Sequence, residues 1–244
     1  MKAADERLEW LHTHARGSTS HRRGEYVSLP AGCGFGGGKL RPSNYANTAH
    51  NAGLVQQVLD DPAIQRVARY VDCGLAAFFP ALHQFLTNLL AQILADNPGI
   101  HRMFDGCCYG ACHLNLHSAA TRKHEDYFNI LFSMCAVYAS GEYDHTRAGH
   151  FIAWSLGLVT QFPPGTALFI PSAPVTHSNT PIPCHQHRSS IAFFTSSGLG
   201  RWYQNGYMSD KDFKAQASAK QLQSWKTHRS KLWEVGLELL QSHQ

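Results

Sequence analysis

The chain has 244 residues, of which 43% are hydrophobic and 16% are charged, and its formal net charge is +4. This composition excludes a disordered chain and provides enough apolar side chains for one folded domain, although two domains are allowed. The small net charge means that any basic surface must be local. Nucleic acid is therefore permitted as a partner and not required.

Seven cysteines and the start "MKAADERLEW", which lacks an apolar signal segment, predict free thiols in a reducing, intracellular compartment. The most apolar stretch, 71–95, is interrupted by Pro80, His83, Asn88 and Gln92. Those interruptions favour a pair of core helices over a membrane span, so no membrane contact is expected.

Helical periodicity dominates the first hundred residues. Leu8, Trp10 and Leu11 fall at about helical spacing and predict an N-terminal helix, whereas residues 16–48 look irregular. Three more helices are predicted from "HNAGLVQQVLD", from "DPAIQRVARYV" with its acidic N-cap and proline, and from "PALHQFLTNLLAQILADNPG" with its Pro-Gly stop.

From about residue 107 the apolar period changes to two. Alternation in "ACHLNLHS" predicts a strand, and short β-rich runs follow at 129–139, 150–155, 166–171, 174–179 and 188–196. Several short strands separated by turn signals such as "FPPG" are typical of a sandwich or barrel. A jelly roll fits their number.

The tail is predicted to be helical again. Ser209 and Asp212 form a capping-box pattern, and an apolar stripe follows at Leu222, Trp225, Leu232, Val235 and Leu239. The stripe favours a core-facing helix over a partner-binding one. We therefore expect an α+β fold in a single domain over residues 1–244, with a mainly helical layer (1–105), a jelly-roll core (106–206) and C-terminal helices (207–244).

Three motifs rich in glycine or cysteine are not assigned a function. "GCGFGGGK" has the G-x-G-x-x-G spacing of a dinucleotide site, but no strand–turn–helix pattern surrounds it, and the P-loop pattern is not met. A tightly turning loop is the better interpretation. "CCYGACH" and "CHQH" contain potential zinc ligands without the C-x₂-C pairs that structural zinc sites usually show, so zinc is disfavoured.

A metal site is indicated by His124 and Asp126, which lie two residues apart in "RKHEDYFN". H-x-D alone is too common to carry weight, but the two side chains would share one side of an extended strand. His177, at the end of a later predicted strand, supplies a third ligand. Two histidines and one carboxylate form the facial triad of non-haem iron(II) oxygenases, which leaves coordination positions for co-substrates.

An anion site is indicated by Arg188 and Ser190 on the following predicted strand. Arg-x-Ser places both side chains on one face, where guanidinium and hydroxyl could hold the distal carboxylate of a 2-oxo acid. Surface or core roles explain each residue separately. The ordered set of His124, Asp126, His177 and Arg188 favours the iron and 2-oxo acid interpretation.

The segments "HEDYFN", "AGHFIAWSL", "FPPGTALFIPSAPVTHSNTPI" and "RSS" resemble the Fe(II)/2-oxoglutarate dioxygenases, and more narrowly the fungal TET/JBP-like group that oxidises methylated nucleobases. The resemblance covers about residues 24–208 and is strongest over 115–205. It implies a double-stranded β-helix with flanking helices. It also implies metal ligation by His124, Asp126 and His177, and binding of 2-oxoglutarate by Arg188 and Ser190.

Two further roles come from the resemblance alone. Asn129 falls where the TET-type enzymes have an asparagine that contacts the target base, and His150 matches a histidine near 2-oxoglutarate. Packing or backbone contacts would explain both residues equally well. The departures from the family pattern, Ala148 in place of a glycine and Glu125 in place of a common arginine, remove no ligand.

The resulting hypothesis is a TET-like dioxygenase that uses Fe(II), 2-oxoglutarate and dioxygen to oxidise 5-methylcytosine or N6-methyladenine in DNA. The methylated base would be flipped into the site. Such a substrate implies an intracellular and specifically nuclear location. The alternatives are a 2-oxoglutarate oxygenase acting on a protein or small molecule, and a non-catalytic jelly-roll binding module. The sequence leaves the base, the strand state and the oligomeric state open.

Overall fold

The computed structural model describes residues 2–241 and contains α-helices together with antiparallel sheets. The helices are α1 (Lys2–His14), α2 (Ala49–Leu59), α3 (Pro62–Phe78), α4 (Pro80–Asp96), α5 (Ser197–Gln204), α6 (Asp210–Gln216), α7 (Ala219–Ser230) and α8 (Leu232–Gln241). The predicted α+β class is confirmed. Met1 and residues 242–244, the outermost parts of the predicted domain, lie outside the described residues.

The N-terminal helices form where the sequence predicts them. The Asp61 side chain accepts a hydrogen bond from the Ala63 N–H, and Pro62 occupies the first turn of α3, where its missing N–H has no consequence. The buried residues of α1, α3 and α4 join one hydrophobic core with the larger sheet. Within residues 2–241, no helix is both long enough and apolar enough to cross a membrane.

The strands form a larger and a smaller antiparallel sheet. They are β1 (Ser20–His21), β2 (Gly24–Glu25), β3 (Val27–Gly34), β4 (Ser43–Asn44), β5 (Ala111–Leu116), β6 (Cys135–Glu142), β7 (Phe151–Ala153), β8 (Leu158–Thr160), β9 (Ala167–Ile170), β10 (His177–Asn179) and β11 (His187–Phe194). The larger sheet has the order β4-β3-β5-β11-β6-β9, the smaller one has the order β10-β7-β8, and β1 pairs with β2 in a separate two-stranded sheet.

The two main sheets pack against each other. Phe151 and Ala153 of β7 share a hydrophobic cluster with Ala139 of β6 and Ile170 of β9. The side chains on the inner faces therefore meet across the gap between the sheets, and this gap is where the candidate site lies.

The expectation of irregular structure over residues 16–48 is wrong for β3, which runs beside β5 from Val27↔Leu116 to Gly32↔Ala111. Pro30 and several glycines obscure the strand in the sequence. Pro30 is tolerated because β4 pairs only with Cys33 and Gly34, so the other edge of β3 needs no N–H at that position. The mainly helical layer predicted for residues 1–105 thus contributes two strands, β3 and β4, to the larger sheet.

The predicted strand over 129–139 is also shortened, because β6 begins at Cys135. Two turns precede it, closed by hydrogen bonds from Asn129 N–H to the Asp126 carbonyl (2.9 Å) and from Ser133 N–H to the Ile130 carbonyl (3.0 Å). Asp126 is therefore held in a loop rather than in the extended strand that the sequence predicts.

Three smaller differences concern β7, β10 and the tail. β7 ends at Ala153 in a 3₁₀ turn that leads to the unpredicted strand β8, and β10 covers only the last part of the predicted run 174–179. The Ser209 cap of α6 is confirmed, since its side chain accepts from the Asp212 N–H. The apolar stripe is divided between α7 and α8, which separate at Lys231.

Candidate metal centre and its surroundings

Backbone hydrogen bonds bring the three predicted metal ligands together. His124 and His177 form a single antiparallel bridge, in which each N–H donates to the other's carbonyl, at 3.0 and 2.9 Å. The N–H of Asp126 donates to the Ser172 carbonyl at 3.0 Å. The loop that carries the H-x-D pair is therefore fixed to the edge of the smaller sheet.

The imidazole rings are oriented by backbone carbonyls. His124 Nδ1 lies 2.7 Å from the Arg122 carbonyl, and His177 Nδ1 lies 2.8 Å from the Val175 carbonyl. A carbonyl can only accept, so both Nδ1 atoms carry a proton, and the neutral form of each ring then has its lone pair on Nε2. This is the arrangement that fixes the tautomer of metal-binding histidines.

The donor atoms converge without bonding to one another. His124 Nε2 lies 3.7 Å from Asp126 Oδ1, and His177 Nε2 lies 4.0 Å from Asp126 Oδ2. The ligand atoms of the three side chains lie within 4.8 Å of one another. Burial and the neighbouring His177 lower the pKa of His124 to about 4, so its ring is neutral at pH 7 and available as a ligand. Two imidazoles and one carboxylate suit iron(II).

Asp126 has a cationic partner that the sequence analysis did not assign. Arg23, in the turn between β1 and β2, places Nη2 2.6 Å from Asp126 Oδ1. No sequence signal connects Arg23 with Asp126, because the two positions are 103 residues apart. Among the described residues, Asp126 Oδ2 has no Arg or Lys within ion-pair distance, and His177 Nε2 lies 4.0 Å from it.

Arg188 is fully buried without a carboxylate partner among the described residues. Its Nη1 donates to the Ala119 carbonyl, while Nε and Nη2 have no hydrogen-bond partner. The guanidinium lies 5.2 Å from the Phe162 ring centroid and 6.0 Å from that of Tyr143. Burial lowers the pKa of Arg188 from its usual value, with Tyr143 acting in the opposite direction. An unpaired buried cation of this kind fits an anionic ligand.

Ser190 follows on the same face of β11 and lines the gap between the sheets, as Phe162 does. Its hydroxyl accepts a hydrogen bond from Asn115 Nδ2 at 3.2 Å, and Asn115 Oδ1 accepts from the Ser28 hydroxyl at 2.8 Å. Ser28 and Asn115 extend the polar row across β3 and β5. Neither was singled out from the sequence, because both fall at inward positions of strands whose partners are distant in the chain.

The gap holds a small cavity of about 60 Å³, called here the metal cavity. Its wall includes His124, Asp126 and His177, together with Arg23, His113, Asn115, Asn129, Phe162 and Ser190. Burial lowers the pKa of His113 to about 4, so this ring is also neutral at pH 7.

Arg188 does not line the metal cavity, and neither does His150. The His150 backbone N–H donates to the Thr180 hydroxyl at 2.9 Å, and its Nδ1 lies 3.3 Å from the same oxygen. These contacts fix the start of β7 against the end of β10. A contact between His150 and 2-oxoglutarate stays a prediction.

Asn129 is buried and borders two cavities. Its Nδ2 donates to Cys135 Sγ at 3.2 Å and to the Ser172 hydroxyl at 3.1 Å. The residue lines the metal cavity and also a second cavity of about 350 Å³, which opens towards α5 and α7. We call this second cavity the C-terminal groove.

A second cluster of potential ligands joins α3, α4 and the segment before β5. Asp72 Oδ1 lies 3.0 Å from His83 Nε2 and accepts the Cys108 N–H at 2.9 Å. Burial raises the pKa of the Cys108 thiol, which stays protonated. The hydrogen bonds account for this cluster as a structural element. All seven cysteines are free, as predicted.

Comparison with solved structures finds a similar fold in another protein. The chain is similar to NgTET1 in a complex with 5mC DNA, with a TM-score of 0.61 and 15% identity over 81% of this chain and 68% of that one. This likeness shows a shared fold. A second similar structure is an oxidoreductase of the 2OG-Fe(II) oxygenase family from Burkholderia pseudomallei, with a TM-score of 0.40 and 16% identity over 78% of this chain and 76% of that one.

Sequence comparison gives no match. No protein-family model matches the chain, and a search of curated proteins finds no match either.

Proposed function

We propose that this chain is a single-domain Fe(II)/2-oxoglutarate-dependent dioxygenase that oxidises a methylated base in DNA, either 5-methylcytosine or N6-methyladenine. The observation that carries the proposal is the convergence of His124, Asp126 and His177, whose free Nε2 and carboxylate atoms face one point in the gap between two sheets. The two antiparallel sheets correspond, in this proposal, to the two halves of a double-stranded β-helix.

The protein's part at the metal is to present preoriented ligands. Carbonyls of Arg122 and Val175 hold the rings of His124 and His177 in the ligating tautomer before any ion arrives. When bound, iron(II) with 2-oxoglutarate and dioxygen supplies the oxidation, in which 2-oxoglutarate is decarboxylated to succinate and a substrate C–H bond is hydroxylated. Three protein ligands leave room on the ion for those co-substrates.

Arg188 supports the assignment of a dicarboxylate co-substrate. Its Nε and Nη2 groups lack acceptors, and Ser190 lies two residues along the same face of β11. A carboxylate received by this guanidinium would satisfy both donors and neutralise a buried charge. We propose that Arg188 and Ser190 hold the distal carboxylate of 2-oxoglutarate, and that His150 supports the same ligand from the smaller sheet.

The DNA part of the proposal has separate support. The fold is shared with NgTET1, whose structure is a complex with 5mC DNA. A base in a duplex cannot reach a metal between two sheets, so it must leave the stack. Asn129, in the wall of the metal cavity beside Asp126, is then the residue that we propose contacts the flipped base.

The test uses anaerobic titration followed by turnover. Protein with Fe(II) and 2-oxoglutarate should develop a weak visible charge-transfer band. After dioxygen is admitted, oligonucleotides with different methylated bases should gain the mass of one oxygen atom as succinate forms. If succinate formed only with proteins or small molecules, the substrate would belong to one of those classes and not to DNA. Absence of both the band and succinate would instead indicate a non-catalytic binding module.

A further inference from the structure

The C-terminal groove continues the metal cavity on the far side of the segment that follows Asp126. Asn129 lines both spaces, and Tyr127 and Ile130 form the nearest wall of the groove. The opposite walls come from α4, α5, α7 and the start of α8. A volume of about 350 Å³ lies at the lower end of the usual range for small-ligand sites. It suits one nucleotide-sized group and excludes a duplex.

The floor of the groove is apolar and its rim is aromatic. Phe85 and Phe132 meet edge to face with their ring centroids 5.5 Å apart, and Leu89 lies beside them. At the rim, Tyr127 is 67% exposed and Tyr203 is 44% exposed. Uncovered rings at the edge of an apolar slot are the surfaces on which unpaired bases stack, irrespective of sequence.

Positive charge surrounds the same opening. Arg201 and Arg229 line the groove and share a single carboxylate, with Asp210 Oδ2 at 3.9 and 3.3 Å respectively. Among the ion pairs of residues 2–241, these two guanidinium groups share one carboxylate, so the pairing leaves a net positive charge at the rim of the groove.

The excess of positive charge extends along the C-terminal part of the chain. Residues 201–241 contain seven Lys and Arg against four Asp and Glu, whereas the preceding two hundred residues are almost balanced. The excess charge favours a polyanion over a peptide or an uncharged lipid as the occupant.

We propose that the C-terminal groove binds the nucleotide next to the target base in a single-stranded or locally opened nucleic acid. Its base stacks against Tyr203 and Tyr127 over the apolar floor, and its phosphate lies near Arg201 and Arg229. The inference rests on the proposed function and specifies how the nucleic-acid substrate would lie on the protein. The target base enters past Asn129, and its neighbour is held in the groove.

The experiment measures binding without turnover. Protein loaded with Fe(II) and 2-oxoglutarate is titrated anaerobically against a short, fluorescein-labelled, unmethylated single-stranded DNA, and anisotropy is recorded at several salt concentrations. The Tyr203→Ala variant should bind about tenfold or more weakly with an unchanged salt slope, because base–aromatic stacking is sequence-tolerant and uncharged. The Tyr203→Phe variant keeps the ring and should bind like the parent.

The cationic part is tested on α7. The Arg229→Ala variant should reduce the slope of log affinity against log salt by about 0.7, the value expected for one phosphate contact on a single strand. The Lys226→Ala variant removes an exposed charge from the same helix outside the groove and should change neither slope nor affinity appreciably. Circular dichroism of each variant establishes that it is folded.

The outcomes separate the inference from the proposed function. Oxidation of a methylated oligonucleotide by all groove variants with parental binding would overturn the groove assignment and leave the dioxygenase assignment standing. Equal losses in the Arg229→Ala and Lys226→Ala variants would also overturn it, because the binding would then be a general charge effect. Succinate formation by a protein that binds no DNA would overturn both the DNA substrate and the groove.

Discussion

Residues 2–241 contain two clusters of histidine, carboxylate and neighbouring donor groups, and the clusters differ in the contacts that the carboxylate makes. Asp72 receives His83 and the Cys108 N–H on a single oxygen, at hydrogen-bonding distances of 3.0 and 2.9 Å. Asp126 faces His124 and His177 with different oxygens, at 3.7 and 4.0 Å. The first carboxylate bonds to its neighbours, whereas the second is separated from the two rings by a space.

The imidazole protons explain this difference. In the candidate metal centre both Nδ1 protons are donated to backbone carbonyls, so Nε2 of a neutral ring has no proton to donate to Asp126. His83, in contrast, uses Nε2 to contact Asp72 directly. Proximity of ligand-type side chains is therefore a weak criterion for a metal site. The direction of the free lone pairs is a stronger one.

The largest expected effect comes from replacing one carboxylate oxygen by an amide nitrogen in each cluster, through an Asp→Asn substitution. The Asp126→Asn variant should lower the affinity for Fe(II) or Mn(II) by about 100-fold or more, since even residues that only orient a ligand typically contribute 10- to 100-fold. The matched Asp72→Asn variant should keep metal affinity and lose about 1–3 kcal/mol of unfolding free energy, because it disturbs buried hydrogen bonds. Isothermal titration and thermal unfolding measure the two quantities. If the Asp72→Asn variant also bound the metal more weakly, the distinction between the two carboxylate clusters would be wrong.

The second expected effect concerns Arg188, an unpaired buried cation. The Arg188→Met variant should raise the 2-oxoglutarate requirement at least tenfold, since charge-assisted hydrogen bonds contribute about 1.5–3 kcal/mol. Its melting temperature should stay level or rise, because the substitution removes an uncompensated buried charge. Succinate assays and calorimetry provide both values.

The exposed Arg147 is the matched control for that substitution. The Arg147→Met variant should change neither the 2-oxoglutarate requirement nor the melting temperature. If the Arg188→Met variant were strongly destabilised with an unchanged requirement, Arg188 would be a structural residue.

The helices and most inner strands could be predicted from the sequence because their signals are local. Asp61 and Pro62 start α3, and alternation marks β5 without reference to any other part of the chain. β3 was missed because Pro30 and the glycines give a loop-like composition, and its pairing with β5 depends on residues about eighty positions away. Strand assignment is decided by such partners more than by propensity.

The candidate site shows the same division. The spacing of His124 and Asp126 indicated a shared ligand set, but the stated reason, alternation along a strand, is wrong, because a turn and the bond to the Ser172 carbonyl position Asp126. Residues such as Arg23 and Asn115 could not be found from the sequence, since they reach the cavity from strands and turns that only the folded chain brings together. Roles for Asn129 and His150 stay predictions.

The smallest expected effect comes from removing Arg23, the cation that contacts Asp126. This substitution sharpens the comparison between the two carboxylates. Arg23 contacts Asp126 Oδ1 at 2.6 Å and thereby restricts rotation of a carboxylate whose backbone alone is held by Ser172. Two opposing consequences follow from its loss. The freed side chain loses its preorganisation, which for one small side chain is worth up to about 1 kcal/mol, while repulsion between the guanidinium and a divalent ion disappears.

We expect the loss of orientation to dominate, because Arg23 is partly exposed and solvent screens its charge. The Arg23→Ala variant should bind Mn(II) about two- to fivefold more weakly, which is less than the 10- to 100-fold typical of residues that orient a ligand, because the lost preorganisation is worth at most about 1 kcal/mol. The Arg23→Lys variant keeps the charge without the planar fork and should recover only part of the loss. Anaerobic calorimetric titration gives both values. Tighter binding by the Arg23→Ala variant would show that Arg23 competes with the metal for Asp126 rather than orienting it.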